Sequence, residues 1–228
     1  MGGTEASVRE AVLLLSGGLD SSTVAGILHA QGTRFRAMTI SYGQRHDREL
    51  RAAERIAEYF GALEHLRIEI DFRKIGGSAL LDNNQSLSSG GKGIPPTYVP
   101  ARNTVFISLA LALAEARGCD AVFIGANAVD YSGYPDCRPE YIEEFNRLSA
   151  LATKRGVEGD PIIIIAPLMQ MSKAEIIKLG TELGVPYELT WSCYRGGEKA
   201  CGVCDSCLYR LKGFREAGIR DPIEYENQ

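Results

Sequence analysis

Four cysteines fall close together near the C-terminal end, in the form Cys193-x₇-Cys201-x₂-Cys204-x₂-Cys207. A Cys-x₂-Cys loop presents two thiolates to one ion, and four thiolates complete a tetrahedral zinc site. Such a site has no open position, so its role is structural. The rival is an iron–sulfur cluster, because Cys-x₂-Cys-x₂-Cys also begins the bacterial ferredoxin run. That run places its fourth Cys, followed by Pro, where this chain has Leu211 followed by Lys212. The spacing favours zinc. The other two cysteines stand apart. Cys119 precedes an apolar run and reads as a small packing residue. Cys137 lies in a polar loop, where a single thiol is usually inert; its role stays open.

A second constellation follows the apolar run Ala11 to Leu15: Ser16-Gly17-Gly18-Leu19-Asp20-Ser21-Ser22. Two glycines let the backbone turn tightly and aim N–H groups at an anion. The helix expected next adds its positive end. The serines offer hydroxyl donors. Asp20 makes sense as a ligand for the Mg²⁺ that accompanies a phosphate. No Gly-x-x-x-x-Gly-Lys-Ser/Thr and no Gly-x-Gly-x-x-Gly occurs anywhere. That argues against the usual nucleotide-triphosphate loop and against a dinucleotide-binding domain.

Further polar residues gather in the other loops. Tyr42-Gly43-Gln44-Arg45-His46 offers Arg45 as a phosphate clamp; a surface turn is an equal reading. His46 reads as a satisfied polar residue. Arg102 opens an Ala/Leu-rich helix, where a cation opposes the macrodipole and is better explained by an anionic partner. Asn103 reads as that helix's cap. Lys173 also opposes a dipole at a helix start, hinting at a phosphate contact, with an exposed Lys as the alternative. The loop from Gly125 to Arg138 is the substrate candidate. It offers Asn127, Asp130, Ser132 and Asp136 as polar partners, Tyr131 and Tyr134 to stack on a base, and Arg138 as a cation. A carboxylate can accept from a ring N–H and an amino group together, the pattern of a guanine-like edge. Arg138 or Arg102 could hold a carboxylate.

These residues need a scaffold that brings loops together. Strands are expected over Ala11 to Leu15, Arg36 to Ser41, His65 to Ile70, Ala121 to Gly125 and Ile162 to Ala166. Helices are expected over Ser21 to Gln31, Asp47 to Phe60, Asn103 to Arg117, from Pro139, from Ser172 to about Leu183, and from Ser206 to Glu216. Gly61 should end the second helix, and Ser172 with Glu175 should form a capping box. Alternating strands and helices predict a doubly wound α/β fold with a mostly parallel five-stranded sheet. Residues 1–190 would form this domain and residues 191–228 a small zinc-binding appendage packed on it. Ligands bind beyond the carboxyl ends of such strands. Residues 71–101 show no periodicity, so they read as a functional or mobile loop.

Composition narrows the class. The 228 residues carry 25 Lys and Arg against 29 Asp and Glu, a net charge of −4, with 45% hydrophobic residues. That excludes a disordered chain and argues against a nucleic-acid binder held by phosphate contacts. A local surplus of cations from 193 to 220 leaves a small basic patch possible. The longest nearly apolar run, Val105 to Ala114, is too short for a membrane span. The first residues show no secretory signal, so a cytoplasmic protein with reduced thiols is expected.

The Ser-Gly-Gly-x-Asp-Ser string resembles the pyrophosphate loop of the N-type ATP pyrophosphatases. Together with Tyr42 to His46, Val99 to Asn103, Asp130 to Arg138, Pro167 to Glu175 and the four Cys, it resembles the 7-cyano-7-deazaguanine synthases of that superfamily. The match runs from about residue 11 to 217. The Asp-Tyr-Ser-Gly-Tyr-Pro-Asp-Cys-Arg string at 130–138 is its most diagnostic part. The resemblance implies an adenine nucleotide alpha hydrolase-like fold. It implies ATP-dependent conversion of 7-carboxy-7-deazaguanine and ammonia to the nitrile preQ0, a queuosine precursor, through adenylated acid and amide. It implies Mg²⁺ with ATP, one structural Zn²⁺ per chain on Cys193, Cys201, Cys204 and Cys207, and a homodimer. The ATP loop would comprise Leu15, Ser16, Gly17, Gly18, Leu19, Asp20, Ser21, Ser22, Thr23, Val24 and Ala25, with Arg45. Ser16, Asp20, Arg102 and Lys173 would serve the chemistry. Asn127, Asp130, Ser132, Tyr134, Asp136 and Arg138 would serve the substrate. Two readings compete: a tRNA-thiolating enzyme that adenylates a base, and a nucleotide-sensing protein without turnover.

Overall fold

The apolar run after residue 10 forms β1 (Glu10–Leu14), the central strand of the sheet. The computed structural model describes residues 8–82, 94–127 and 133–226. Around β1 lie β2 (Arg34–Ser41), β3 (His65–Glu69), β4 (Ala121–Phe123) and β5 (Ile163–Ile165), in the order β3-β2-β1-β4-β5. Every pairing is parallel, with Leu13 opposite Ala37 on one side and Phe123 on the other. The expected parallel five-stranded sheet is therefore present.

Alternation along β1 explains the two layers of helices. Ala11, Leu13 and Leu15 face one core, shared with α1 (Leu19–Ala30), α2 (Arg48–Tyr59) and α6 (Lys173–Glu182). Val12 and Leu14 face the other, shared with α3 (Arg102–Arg117) and α4 (Pro139–Ala152). Successive side chains of a strand point to opposite faces, so a run buried on both sides must be apolar throughout. The chain turns from one side of β1 to the other between β3 and β4. Such a reversal opens a crevice beyond the carboxyl ends of the two central strands.

Predicted boundaries agree with the structure to within a few residues. Gly61 follows α2 with φ +66°, and the Ser172–Glu175 capping box forms with both of its hydrogen bonds. The short helix α5 (Lys154–Val157) was not expected; Thr153 caps it by accepting from the Gly156 N–H at 2.9 Å. One expectation fails. Asn103 does not cap α3, whose flanking residue is Ala101 in a left-handed conformation (φ 52°). Asn103 lies within the first turn, and its backbone N–H donates to Asp136 Oδ2 at 3.0 Å. A carboxylate from a distant loop thus does the capping, leaving the Asn103 amide to donate to the Asp136 carbonyl and to Cys137 Sγ. Local sequence cannot show a cap supplied from 33 residues away. Cys119 is fully buried in the second core, as its apolar setting suggested.

The last helix, α7 (Asp205–Ala217), lies against α6, and its Phe214 joins the first core. Arg210 fixes it in place. Its guanidinium pairs with Asp221 through two hydrogen bonds of 2.8 and 2.9 Å and also donates to Thr190 Oγ1 and the Tyr187 carbonyl. Both charged side chains are almost fully buried, at 2% and 6% exposure. Removing one member of a buried, hydrogen-bonded pair strands the other charge at a cost of about 3–5 kcal/mol. Arg210→Met should lower unfolding stability by that order, read as a shifted denaturant midpoint. Adding Asp221→Leu to it should recover part of the loss; no recovery would mean that Arg210 acts chiefly through its other partners.

Candidate active site

The glycine loop sits where the topology reverses. Gly17 adopts φ +78°, and a Cβ there would lie 2.3 Å from the Glu49 carbonyl oxygen and 2.5 Å from the Ala53 nitrogen. Only glycine allows the loop to pass so close to the backbone of α2. Ser16 and Ser21 hold the turn from inside, with their hydroxyls 3.0 Å apart and Ser21 Oγ accepting from the Ser16 N–H. Gly125, just past β4, presses on the start of α1 in the same way: its Cβ would lie 2.9 Å from the Ser21 nitrogen. Loop, helix end and the β4 exit therefore form one wall.

Asp20 projects from the first turn of α1. Lys173 Nζ, at the start of α6, donates to both of its carboxylate oxygens at 2.7 Å, and Asn127 Nδ2 donates to Oδ2 at 3.1 Å. This answers why a lysine tolerates a helix N-terminus: a carboxylate faces it. Lys173 and Asp20 are both largely buried.

A cavity of about 530 Å³ opens beside this pair, a size suited to a small-molecule ligand. Ser16, Gly18, Asp20, Ser21 and Lys173 line one part of it, with Leu15 and Leu19. Another part is lined by Tyr42, Gln44 and Glu49 after β2, Arg102 and Phe106 of α3, and Tyr134. The segment from 71 to 101 contributes Leu80, Pro95 and Thr97, whose hydroxyl lies 3.0 Å from the Tyr134 hydroxyl. Trp191, Ser192 and Tyr194 close the cavity from the side of the cysteine cluster.

Charge in this cavity is unusually placed. Arg102 lies over the rings of Tyr42 and Phe106, at 5.4 and 5.9 Å. Burial works against its charge, yet the surrounding Tyr42, Cys137, Asp136 and Tyr134 hold its pKa above the ordinary value. Glu49 moves the other way: burial pushes its carboxyl up to about 7, against the opposing pull of Arg102. Burial also pushes the Tyr42 phenol up to about 12.

Other residues singled out in the sequence sit elsewhere. Ser22, Thr23, Val24 and Ala25 are buried within α1, where Ser22 Oγ and Thr23 Oγ1 donate to the Gly18 and Leu19 carbonyls. Gly17 does not line the cavity but shapes the loop that does. The Arg45 guanidinium donates to the carbonyls of Ala79 and Asp82, holding the start of the 71–101 segment against the loop after β2. Asp136 is buried as the cap of α3, and Arg138 is exposed at the start of α4, outside the cavity lining. Asp130 and Ser132, like Tyr131, lie outside the described residues. Cys137 is buried and lines the cavity, its sulfur accepting from Asn103. Glu49 and Trp191 were missed. Glu49 reads as an ordinary acid in the first turn of an amphipathic helix, and no local pattern marks it as facing a cavity.

Cys193, Cys201, Cys204 and Cys207 are all buried, and their sulfurs lie within 4.8 Å of one another. Four sulfurs each about 2.3 Å from a central zinc would be spaced by roughly 3.8 Å; Cys201 and Cys207 are 3.9 Å apart. The set could hold a metal ion such as zinc. Backbone N–H groups of Arg195 and Cys201 point at Cys193 Sγ, each at 3.4 Å. Hydrogen bonds from Cys204 and Cys207 pull the Cys193 thiol well down, and their own thiols are pushed up by the same bonds. His46 Nε2 lies 2.9 Å from the Cys193 carbonyl oxygen, and burial pushes its pKa down, so it acts as a structural contact of this segment. No described helix is long and apolar enough to cross a membrane.

Comparison with known proteins matches this arrangement to one family. The model of the family described as queuosine biosynthesis protein QueC matches residues 10–218. A protein of Pseudomonas syringae named 7-cyano-7-deazaguanine synthase is 56% identical over 220 residues, covering 95% of this chain and 96% of the relative. A Nostoc protein of the same name is 54% identical over 222 residues, covering 95% and 97%. Among solved structures, an NMN synthetase from Francisella tularensis shares the fold with a TM-score of 0.53 at 18% identity, covering 93% of this chain and 79% of its own. The chain belongs to the QueC family of queuosine biosynthesis proteins.

Proposed function

We propose that the chain is an ATP-dependent 7-cyano-7-deazaguanine synthase. It would convert 7-carboxy-7-deazaguanine, ammonia and two ATP into the nitrile preQ0, two AMP and two pyrophosphates. One observation carries the reading beyond family membership: the glycine loop with its Asp20–Lys173 pair and a pocket holding Arg102 share one cavity. An activated phosphate and a carboxylate can therefore meet there.

The chain's own residues would divide the work. The backbone N–H of Gly18 and the start of α1 would cradle the phosphates, with Ser16 and Ser21 as further donors. Lys173 would stabilise charge moving onto the leaving pyrophosphate. Arg102, a fixed cation, would hold the substrate carboxylate for in-line attack on the α-phosphorus. Tyr42, Trp191 and Tyr134 offer faces for the two ring systems. Asp130 and Ser132, with Asn127, Asp136 and Arg138 as supports or contacts, are the candidates for reading the deazaguanine edge. Mg²⁺ uses one carboxylate plus substrate phosphates, and Asp20 beside the loop fits that pattern; when bound, the ion would neutralise charge developing on the phosphates. The cysteine cluster would hold one structural Zn²⁺.

We also read the protein as a cytoplasmic homodimer. Supporting the dimer are the exposed Leu148, Leu151, Val157 and Ile163, which lie on α4, α5 and the edge strand β5. Residues 191–228 are read as the zinc-bearing segment on a domain of residues 1–190.

Quenched assays with labelled ATP should show two AMP released per nitrile and none without the deazaguanine acid. A ratio of one, or ADP in place of AMP, would refute the reading. Asp20→Asn should slow turnover on the order of 100-fold, the size of lost metal-held charge stabilisation; unaltered turnover would remove Asp20 from the site. Elemental analysis should find one zinc per chain, absent in Cys204→Ser, with a lower unfolding temperature in that variant. Iron in its place would favour the tRNA-thiolating alternative.

A further inference from the structure

Asp20, Glu49 and Asp205 are the carboxylates among the described residues that line the cavity. Asp20 is engaged by Lys173 and Asn127, and Asp205 has a partner of its own. Glu49 has neither a hydrogen bond nor a close ion pair among the described residues. It starts from the first turn of α2, where an acid is ordinarily welcome at the surface for its effect on the helix dipole. Here it faces the cavity shared with Tyr42, Tyr194 and Arg102. Its own backbone carbonyl is fixed against Gly17, so the side chain is tied to the glycine loop by one residue of rigid chain. A partly buried carboxylate with no protein donor is costly unless something else satisfies it.

The proposed reaction needs such a group, and this inference rests on that reading. Ammonia exists in neutral water mostly as ammonium, which cannot attack a carbonyl until it loses a proton. Nitrile formation has a second demand. Once the amide oxygen carries AMP, both remaining N–H protons must leave for the C≡N bond to form. Lys173 and Arg102 carry positive charge and accept no proton, and Asp20 is engaged by the lysine.

We propose that Glu49 is the proton acceptor for the substrate nitrogen in both rounds. In the first, the Glu49 carboxylate takes one proton from ammonium. The freed ammonia forms a C–N bond to the adenylated carboxyl carbon, the C–O bond to AMP breaks, and the added nitrogen sheds one further proton to water. Glu49 returns its proton to water before the next round. In the second, the amide oxygen attacks the α-phosphorus of ATP and pyrophosphate leaves. Glu49 then takes one N–H proton from the O-adenylated amide. The nitrogen lone pair forms the third C–N bond as the C–O bond breaks, AMP leaves with the C–O bonding pair, and the last N–H proton passes to water. No electron is gained or lost by the protein.

The test is Glu49→Gln in the full-length zinc protein, followed by rapid quench with ATP labelled at the α-phosphate. Among the described residues the side chain has no hydrogen-bond partner to lose, so the variant should fold and form the adenylate at the wild-type rate and amplitude. Amide formation from acid and ammonium should fall about 100-fold or more, the usual worth of a positioned base. Nitrile formation from supplied amide, without ammonium, should fall as far. Glu49→Asp should recover part of both. Nitrile produced by Glu49→Gln within about threefold of wild type would overturn the proposal. So would loss of the adenylate together with the products, which marks a merely structural residue. A defect in only one round would overturn the double role. The wild-type protein run alongside separates this from the parent reading: if it makes no nitrile at all, the synthase reading fails and not the assignment of Glu49.

Discussion

The architecture of the site depends on one close approach, that of the glycine loop to the backbone at the start of α2. A side chain at Gly17 would overlap the Glu49 carbonyl and the Ala53 nitrogen, so the two segments meet with no side chain between them. The contact sets where α2 begins relative to β1. It puts Glu49 at the cavity and leaves the start of α1 open to an anion. The Gly17 carbonyl accepts from the Trp191 N–H at 2.9 Å, so the loop is held from a second direction. Gly125 provides a third approach, against Ser21. Three segments distant in sequence thus fix one short loop before any ligand arrives. Preorganised donors of this kind need no rearrangement when charge develops, which is where their catalytic value lies.

Much of this was legible in the sequence, for physical reasons that differ by residue. The apolar run Ala11 to Leu15 suits a strand buried on both faces, and the β1 pairings agree. The capping box at Ser172 is local chemistry, and both of its hydrogen bonds form. The cysteine spacing pointed to a cluster whose sulfurs do converge. Residues whose roles depend on distant partners were harder. Asn103 looks like a cap in any window of ten residues, but Asp136 takes that job and the Asn103 side chain turns to Cys137. Arg45 looks like a phosphate clamp, while its guanidinium holds the carbonyls of Ala79 and Asp82. Glu49 carries no local signature at all. Its position in the cavity follows from the contact with Gly17, which lies on the far side of α1 and β2 in the sequence.

The cavity separates its charges by function. At the glycine loop, Asp20 and Lys173 are paired through two hydrogen bonds, so each is oriented by the other. Across the cavity, Arg102 is fixed over aromatic faces, and Glu49 has no donor among the described residues. A carboxylate whose two oxygens both accept from a lysine is already engaged. A carboxylate whose ionised form is penalised by burial holds a proton more readily. The two acids therefore differ because their surroundings differ, the pattern by which one site can hold two carboxylates in separate roles.

The cysteine cluster connects to the same network although its sulfurs lie outside the cavity. The Cys193 carbonyl accepts from Trp191 Nε1 at 2.9 Å and lies 2.9 Å from His46 Nε2. Trp191 in turn donates its backbone N–H to Gly17 and packs its ring under the Arg48 guanidinium at 4.7 Å. The backbone that carries the first thiolate thus orients the residue that fixes the glycine loop, while His46 links it to the loop after β2. On the other side, Arg210 of α7 binds the Tyr187 carbonyl and Thr190, the residues just before Trp191. A closed four-sulfur site adds binding free energy to whatever geometry it locks. Here that geometry includes one wall of the cavity, so an ion held by the four sulfurs, though it would have no open coordination position, would still bear on the site by holding Trp191 against the loop.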